Sequence, residues 1–179
     1  MTAARVTPGA RRDTGVAVSL FARAAGRVAR TEPPAVFLTL GRSKRMFWGW
    51  LHFAGTLMPG GRLGRRRTEL VILRVAHRRD NAYEWTQHAG LARRAGLSAA
   101  EVEQVRDDAA TWPAPEALLL EVTDELLAHD DLSDATWTRL RATFDEPTSI
   151  ELLMLIGHYR MLATTLTTLR VQPDKPRSM

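Results

Sequence analysis

The sequence predicts an all-α protein of about seven helices, and three observations carry this prediction. Apolar residues recur every three or four positions along most of the 179 residues, which is the period of an amphipathic helix. Several of these stretches open on a serine or asparagine and close on glycine or proline, as helices do. No stretch shows the sustained alternation of apolar and polar residues that is typical of a half-buried strand.

The individual helices follow from this spacing and from the stop signals between them. The first amphipathic pattern ends before Pro33 and Pro34, because proline disfavours helical backbone in the residue that precedes it. A helical turn and an aromatic-rich helix come next, and later boundaries fall at glycines, prolines and capping residues. The expected segments are 16–30, 35–40 (a turn), 43–57, 65–78, 81–95, 99–109, 116–129, 133–144 (short) and 149–170.

The length of the chain suits a single domain of ordinary size, which we expect to span residues 15–171. Residues 1–14 are basic and small, with little apolar surface to bury, so a disordered N-terminal tail is expected there. Residues 172–179 are expected to form a C-terminal tail. The N-terminus lacks the apolar core of a signal peptide and is expected to remain uncleaved.

Composition narrows the classes of function. The absence of cysteine excludes disulfides and cysteine metal sites and fits a cytoplasmic protein. No run approaches the roughly eighteen apolar residues of a membrane span, so no membrane partner is expected. The net charge of +5 comes from arginines interleaved with acids along several helices. Since no nucleic-acid-reading motif accompanies them, no nucleic-acid partner is expected.

Glu69, Glu84 and His88 are the candidate catalytic residues. Glu84 and His88 are four residues apart, so on a helix they share one face a single turn apart. A carboxyl group and an imidazole held in this way can pass a proton at neutral pH. Structural roles stay open at this stage. Asn81 and Glu84 fit a capping box, and Arg65 precedes Glu69 at the spacing of an ordinary surface ion pair.

Five further residues are candidates for substrate binding: Arg74, Tyr83, Trp85, His158 and Tyr159. Arg74 offers a cation for a substrate anion, although its position on the helix points it to a different face from the catalytic glutamate. Tyr83 and Trp85 suit an aromatic or unsaturated ring. His158 and Tyr159 follow a glycine that interrupts the last helix, and core packing is the alternative for them. No metal or cofactor is expected, because no phosphate loop, nucleotide fingerprint or metal-ligand cluster is visible.

Three motifs surround these residues: TELVILRVA at 68–76, YEWTQH at 83–88 and AGLSAAEV at 95–102. They resemble the carboxymuconolactone decarboxylase family of the alkylhydroperoxidase D-like (AhpD-like) superfamily, and the similarity extends roughly over residues 33–171. The resemblance implies the AhpD-like helical fold, assembly as a trimer or hexamer, and a small-molecule substrate.

One departure from the redox-active branch of that superfamily decides between chemistries. That branch carries a glutamate, then a C-x-x-C pair, then a histidine four residues after the second cysteine. The resemblance places this glutamate at Glu69 and this histidine at His88, while the two cysteine positions fall on Asn81 and Glu84. A peroxide-reducing dithiol needs a nucleophilic and a resolving thiol. The chain has neither, so thiol peroxidase activity is excluded.

The expected function is therefore cofactor-free acid–base chemistry on a small carbonyl or lactone compound, as decarboxylation or a related lyase, isomerase or hydrolase step. His88 is the expected proton donor or acceptor, Glu84 its partner and Glu69 a second acid or base. Two carboxylates around one imidazole are expected to raise the pKa of His88. The alternative is a non-catalytic oligomeric scaffold or a small-molecule binding protein.

Overall fold

The computed structural model describes residues 3–58 and 60–175. In this part of the chain it contains nine α-helices and no β-strand. The all-α prediction is confirmed, and the expected number of about seven helices is corrected to nine. None of the helices in these residues is both long and apolar enough to cross a membrane. The helices are α1 (Arg11–Ala29), α2 (Ala35–Leu40), α3 (Lys44–Leu57), α4 (Arg65–Arg78), α5 (Ala82–Arg94), α6 (Ala99–Gln104), α7 (Glu116–His129), α8 (Asp134–Thr143) and α9 (Glu146–Leu169).

The start of the first helix differs from the expectation. Residues 11–14, expected in the disordered tail, form a helical turn; Gly15 (φ 82°, ψ 172°) separates this turn from the rest of α1, which begins at residue 16 as expected. The physical reason is a local cap, because the Asp13 carboxylate accepts the N–H of Ala10 at 2.9 Å. Residues 1 and 2 of the expected tail lie outside the described residues.

The expected C-terminal tail is hydrogen-bonded as far as it is described. The Asp174 carboxylate accepts the N–H of Ala35 at 2.7 Å and so supplies a cap at the start of α2. The carbonyl of Lys175 accepts the N–H of Glu32 at 3.0 Å. Residues 176–179 lie outside the described part of the chain.

Two compact units make up the chain: residues 1–54 with 165–179, and residues 55–164. An aromatic cluster forms part of the interior of the first unit. The ring of Phe21 lies edge-on to Phe37 at 5.0 Å and to Phe47 at 6.0 Å between centroids, which is the arrangement that aromatic rings prefer. Phe47 is fully buried.

The central helix of the second unit is α4. All nine of its residues 68–76 are buried, so it is covered on every side, whereas an ordinary amphipathic helix buries a single stripe. It packs against α5 and α7. Polar side chains on α4 are therefore carried into the core together with the apolar ones. The buried residues of this core cluster are Leu70, Leu73, Ala92, Leu97, Val102, Val105, Trp112 and Leu120.

Candidate active site

Glu69 places a carboxyl group inside the second unit. Its side chain is 0% exposed, because the whole of this part of α4 is covered. A buried carboxylate is unfavourable unless a partner donates hydrogen bonds to it or carries the opposite charge. That partner is His88, whose Nδ1 lies 2.7 Å from Glu69 Oε2.

The first two turns of α5 bring Glu84 and His88 to the same place. Asn81 caps the helix, since its side-chain oxygen accepts the N–H of Glu84 at 2.8 Å. The cap fixes the start of α5, and the four-residue spacing then turns Glu84 and His88 together toward the core. Both are buried, with exposures of 3% and 5%.

The carboxylate of Glu84 is directed to His88 and not back to the helix end. Its Oε2 lies 3.3 Å from His88 Nε2. The N–H of Asn81, which a capping box would pair with Glu84, donates instead to the carbonyl of Ala76 at 2.9 Å. The Asn81 cap is thus present, and the reciprocal half of the capping box is not formed. Capping therefore does not explain the Glu84 carboxylate.

His88 is a cation held between two carboxylates. Burial lowers the pKa of His88, but the hydrogen bonds to Glu69 and Glu84 outweigh burial and raise it from 6.5 to about 9. At neutral pH the ring is therefore an imidazolium, and its two N–H groups donate to the two glutamates. The expected rise in the pKa of His88 is confirmed.

Because the folded protein holds the His88 proton, its stability is expected to decrease at alkaline pH. The folded state holds the His88 proton more tightly than the unfolded state, so the contribution is complete below pH 6.5 and is lost as the pH rises through about 9. We expect the free energy of unfolding to fall by about 3 kcal/mol across this window, measured by chemical denaturation at a series of pH values. The same series on His88→Gln is the control, because that variant lacks the titrating group. An equal loss in both proteins would contradict the assignment.

Two aromatic side chains of α9 lie beside the His88 ring. Tyr159 stands edge-on to His88 at 5.1 Å between ring centroids, and His158 stands edge-on to Tyr159 at 5.1 Å. Burial, with the nearby charges of Glu84 and Glu69, keeps the pKa of Tyr159 well above 10. Burial, with the charge on His88, lowers the pKa of His158 to about 4. Both side chains are therefore neutral neighbours of the imidazolium at pH 7.

The second oxygen of Glu69 faces Arg65. Glu69 Oε1 is buried and has no hydrogen-bond partner among the described residues. The Arg65 guanidinium lies close to it, with Nη2 at 3.7 Å, a distance too long for a good hydrogen bond. The Arg65 side chain is 47% exposed, so it links the buried cluster to the surface.

Arg74 is not brought to this cluster. Its guanidinium forms a bidentate pair with Asp124, with N–O distances of 2.8 and 2.6 Å, and a further bond of 2.6 Å to Asp108. The carbonyl of Val105 also accepts an N–H group of the Arg74 guanidinium. Arg74, Asp108 and Asp124 border a cavity of about 480 Å³ whose lining includes none of Glu69, Glu84 and His88. The expectation that Arg74 binds a substrate anion beside His88 is corrected, because its N–H groups are committed to these acids.

Trp85 also turns away from His88. It lies one residue after Glu84 on α5, so its side chain leaves the helix on another face. The guanidinium carbon of Arg106 sits 3.8 Å above its ring, which is a cation–π contact. Both residues line a cavity of about 290 Å³ near the start of α5. Tyr83 is buried on the same helix, with 3% exposure.

Sequence reasoning named Arg65 only in the structural alternative for Glu69, an ordinary surface ion pair with Arg65 or Arg66, and did not place it at the site. The four-residue spacing of Arg65 and Glu69 was the available signal in the sequence. The spacing alone does not show that Glu69 is buried, and this burial is what places Arg65 next to the site. Within the described ranges, no group of three or more His, Cys, Asp or Glu is arranged to hold a metal ion.

The fold and the site define a class: an all-α protein with a Glu–His–Glu cluster in its core and no cysteine. Residues 44–125 match the model of the Carboxymuconolactone decarboxylase family. The matched segment contains Glu69, Glu84 and His88. The match confirms the predicted resemblance to this family, and the chain has no cysteine. No curated protein matches the chain in sequence.

Solved structures of AhpD-like proteins share the fold. An uncharacterized peroxidase-related protein from Ralstonia eutropha JMP134, with an alkylhydroperoxidase AhpD core, has a TM-score of 0.81 at 15% identity, over 94% of this chain and 92% of that one. An uncharacterized peroxidase-related protein from Silicibacter sp. TM1040 has a TM-score of 0.80 at 14% identity, over 88% and 84%. The debrominase Bmp8 has a TM-score of 0.78 at 15% identity, over 94% and 91%. At these identities the likeness confirms the predicted AhpD-like fold.

Proposed function

We propose that this chain is an enzyme that performs acid–base chemistry on a small carbonyl or lactone compound, with a decarboxylase-type reaction as the favoured step. His88 is the proton donor, Glu84 its exchange partner and Glu69 the group that orients it. One observation carries the proposal: a buried imidazolium is held between two carboxylates in the segment that matches the family. Perturbed titratable groups of this kind are typical of catalytic sites.

The reaction needs no electron acceptor beyond the substrate. In a β-keto acid or an unsaturated lactone acid, the bond to the carboxylate carbon breaks and carbon dioxide leaves. The electron pair of that bond moves into the carbonyl or the conjugated system and forms an enolate or dienolate. A proton from the His88 imidazolium then completes the product, and the imidazole recovers a proton from solvent. The residue types present supply each of these proton transfers.

The two hydrogen bonds of His88 differ in length, and the difference assigns the roles. The Nδ1 bond to Glu69, at 2.7 Å, is short and charge-assisted, so it holds the ring in place. The Nε2 contact with Glu84, at 3.3 Å, is longer and more easily exchanged for a substrate atom. We therefore assign Nε2 as the atom that delivers the proton.

The surroundings favour such a transfer. Burial in a medium of low polarity strengthens the interaction between the imidazolium and a developing enolate. The neutral, largely apolar Tyr159 ring lies at right angles to the His88 ring, with 5.1 Å between centroids, and an aromatic neighbour suits an unsaturated substrate. The likeness to a debrominase supports an enzymatic use of this fold, and the family match supports a lyase-type step.

Assembly as a trimer or hexamer remains our proposal from the family resemblance. Large apolar side chains on the outer face of α9 support it, since Ile150 and Met154 are 54% and 48% exposed. Exposed apolar residues that lie near one another often mark subunit contacts. Light scattering should give three or six times the chain mass of 20.0 kDa, and a mass equal to that of one chain would end this proposal.

Turnover of a panel of lactones and β-keto acids tests the proposed function, with Glu84→Gln as the variant. An amide cannot exchange the Nε2 proton, so we expect turnover to fall by at least about tenfold. The matched control is Glu103→Gln, because Glu103 is an exposed glutamate of α6, and its replacement should leave turnover unchanged. If Glu84→Gln alters only the melting temperature, the scaffold alternative is correct.

A further inference from the structure

Positive charge is distributed unevenly between the two units. The first unit carries twelve Lys and Arg residues against three Asp and Glu residues, a net charge of +9. The second unit carries thirteen against seventeen, a net charge of −4. The interleaving of arginines with acids that the sequence suggested is therefore a property of the second unit. A charge asymmetry of this kind favours a partner with a negatively charged surface.

The outward face of α1 combines arginines with aliphatic side chains. Between Asp13 and Glu32 the chain has no acidic residue. The residues exposed along this stretch are of these two kinds only: Val16, Ala17, Leu20, Arg23, Ala24, Arg27, Val28 and Arg30. Leu20 and Val28 are 59% and 77% exposed. The face thus offers a partner both positive charge and apolar surface.

Helical spacing sorts these side chains into two neighbouring edges. Arg23 and Arg27 are four residues apart and form a basic edge. Leu20, Ala24 and Val28 repeat at the same interval and form an apolar edge beside it. Within the described part of the chain, neither Arg23 nor Arg27 forms an ion pair with an acid. Both guanidinium groups are therefore available to an anionic partner.

The start of α3 adds a tryptophan to the apolar edge. Trp48 is 42% exposed, and its ring lies edge-on to Phe21 at 6.3 Å between centroids. Phe21 is two helical turns before Val28, so Trp48 stands on the side of α1 that carries the apolar edge. Lys44 and Arg45 precede it on α3 and are exposed. Tryptophan is enriched where a surface is apolar on one side and wet on the other, as at the face of a bilayer.

We propose that α1 and the start of α3 bind the surface of a negatively charged lipid bilayer, with α1 lying in the plane of the interface. The arginines meet the lipid headgroups, while Leu20, Val28 and Trp48 enter the boundary between headgroups and acyl chains. The expectation of no membrane partner rested on the lack of a spanning segment. Binding at the surface needs no such segment, so it is compatible with the lengths and compositions of the described helices.

A bilayer fits this surface better than a nucleic acid does. The phosphates of a nucleic acid would accept the arginines, but its grooves offer no apolar phase for Leu20 and Val28. The exposed residues of α1 after Asp13 include no Asn, Gln, Ser or Thr to add contacts with base edges. A second copy of the chain is also a poorer partner where the same surface meets itself, because the two basic edges repel each other.

Co-sedimentation of the full chain with lipid vesicles tests the proposal. Vesicles of phosphatidylserine and phosphatidylcholine in equal amounts are compared with vesicles of phosphatidylcholine alone, at low and at high salt. The charge test is the double variant Arg23→Gln/Arg27→Gln. Its matched control is Arg79→Gln/Arg93→Gln, which removes the same charge from exposed positions of the second unit.

The apolar edge is tested separately with Leu20→Gln. Trp137→Gln is its control, because Trp137 is a large apolar side chain of the second unit that is 40% exposed. All four variants alter exposed side chains, and circular dichroism checks that they retain the helix content of the unmodified chain.

We expect the unmodified chain to bind the mixed vesicles about tenfold more tightly than those of phosphatidylcholine alone, and salt to weaken this binding. Arg23→Gln/Arg27→Gln should bind the mixed vesicles about thirtyfold more weakly, which is about fivefold for each arginine. Leu20→Gln should bind them about tenfold more weakly, and both controls should bind as the unmodified chain does. Equal binding to the two kinds of vesicle would overturn the proposal, and so would equal losses in the variants and their controls.

Two further outcomes would assign the surface to another partner and overturn the proposal. One is binding to duplex DNA or single-stranded RNA that Leu20→Gln leaves unchanged, without binding to the mixed vesicles. The other is a change of assembly mass in Leu20→Gln, measured by light scattering without vesicles, which would place a second copy of the chain on this surface. None of the variants touches the Glu69–His88–Glu84 cluster, so the result is independent of the proposed function.

Discussion

Replacement of His88 by glutamine is expected to lower kcat by a factor of about 10²–10⁴, the range attributed to a general acid or base. Glutamine has a comparable size and keeps hydrogen-bonding atoms near Glu69 and Glu84, but it cannot carry a transferable proton. The measurement is turnover of the substrate found in the panel of lactones and β-keto acids, over a range of pH. The remaining activity should no longer follow a titration near pH 9.

The matched control for this variant is His52→Gln, because His52 is an exposed histidine outside the cluster. Its kcat should equal that of the unmodified chain. Circular dichroism of both variants checks that helix content is retained. A kcat for His88→Gln within a factor of about two of the unmodified chain would remove acid–base catalysis by this residue from the account.

Replacement of Arg74 by methionine is expected to lower the free energy of unfolding by about 3 kcal/mol, as breaking a buried ion pair does. Methionine fills much of the volume of the arginine stem, so the loss reports on the charged group. Asp124 would lose a bidentate partner, and the carbonyl of Val105 would lose its donor. Chemical denaturation at neutral pH measures the change.

Arg78→Met is the matched control, because Arg78 contacts the same two acids, Asp108 and Asp124, from a more exposed position. Arg78→Met should lose clearly less stability than Arg74→Met. The Arg78 side chain is more exposed to solvent, and ion pairs of exposed groups contribute less to stability. Equal losses in the two variants would show that burial of Arg74 is not what makes its pairs important.

The helix pair at the centre of the site could be predicted because its signals are local. The apolar spacing of α4 and the Asn81 cap of α5 are both visible within a few residues of sequence. The four-residue spacing of Glu84 and His88 fixed their common face. The contact between His88 and Glu69 spans 19 residues and depends on how the two helices pack. In the sequence, Glu69 stands out as an ionisable residue of α4, and the family resemblance favours a place for it in the site. The packing of α4 against α5 supplies the contact.

Arg74 shows where local reasoning fails. Its position on another face of α4 from Glu69 was visible in the sequence, but its partners were not. Asp108 and Asp124 lie 34 and 50 residues away, and they meet Arg74 only once α4 is surrounded. A buried arginine that is fully paired and one that awaits a ligand look alike in sequence.

Two other differences have equally physical causes. Composition predicted disorder up to residue 14, while the carboxylate of Asp13 caps a helical turn over residues 11–14, ahead of the kink at Gly15. The spacing of Arg65 and Glu69 left an ordinary surface ion pair open as an alternative, because it could not reveal that Glu69 would be completely buried. In both cases the surroundings of one carboxylate, that of Asp13 or Glu69, decided the local structure, and the composition or spacing of the segment did not reveal them.

The most direct test of the central claim is the protonation state of the His88 ring, measured by ¹⁵N nuclear magnetic resonance of the histidine side chains. The account predicts that both ring nitrogens carry protons at neutral pH and that the ring titrates with a pKa of about 9. His88→Gln identifies the resonances by their loss. A neutral ring at pH 7 that titrates near 6.5 would contradict the claim that Glu69 and Glu84 hold an imidazolium between them.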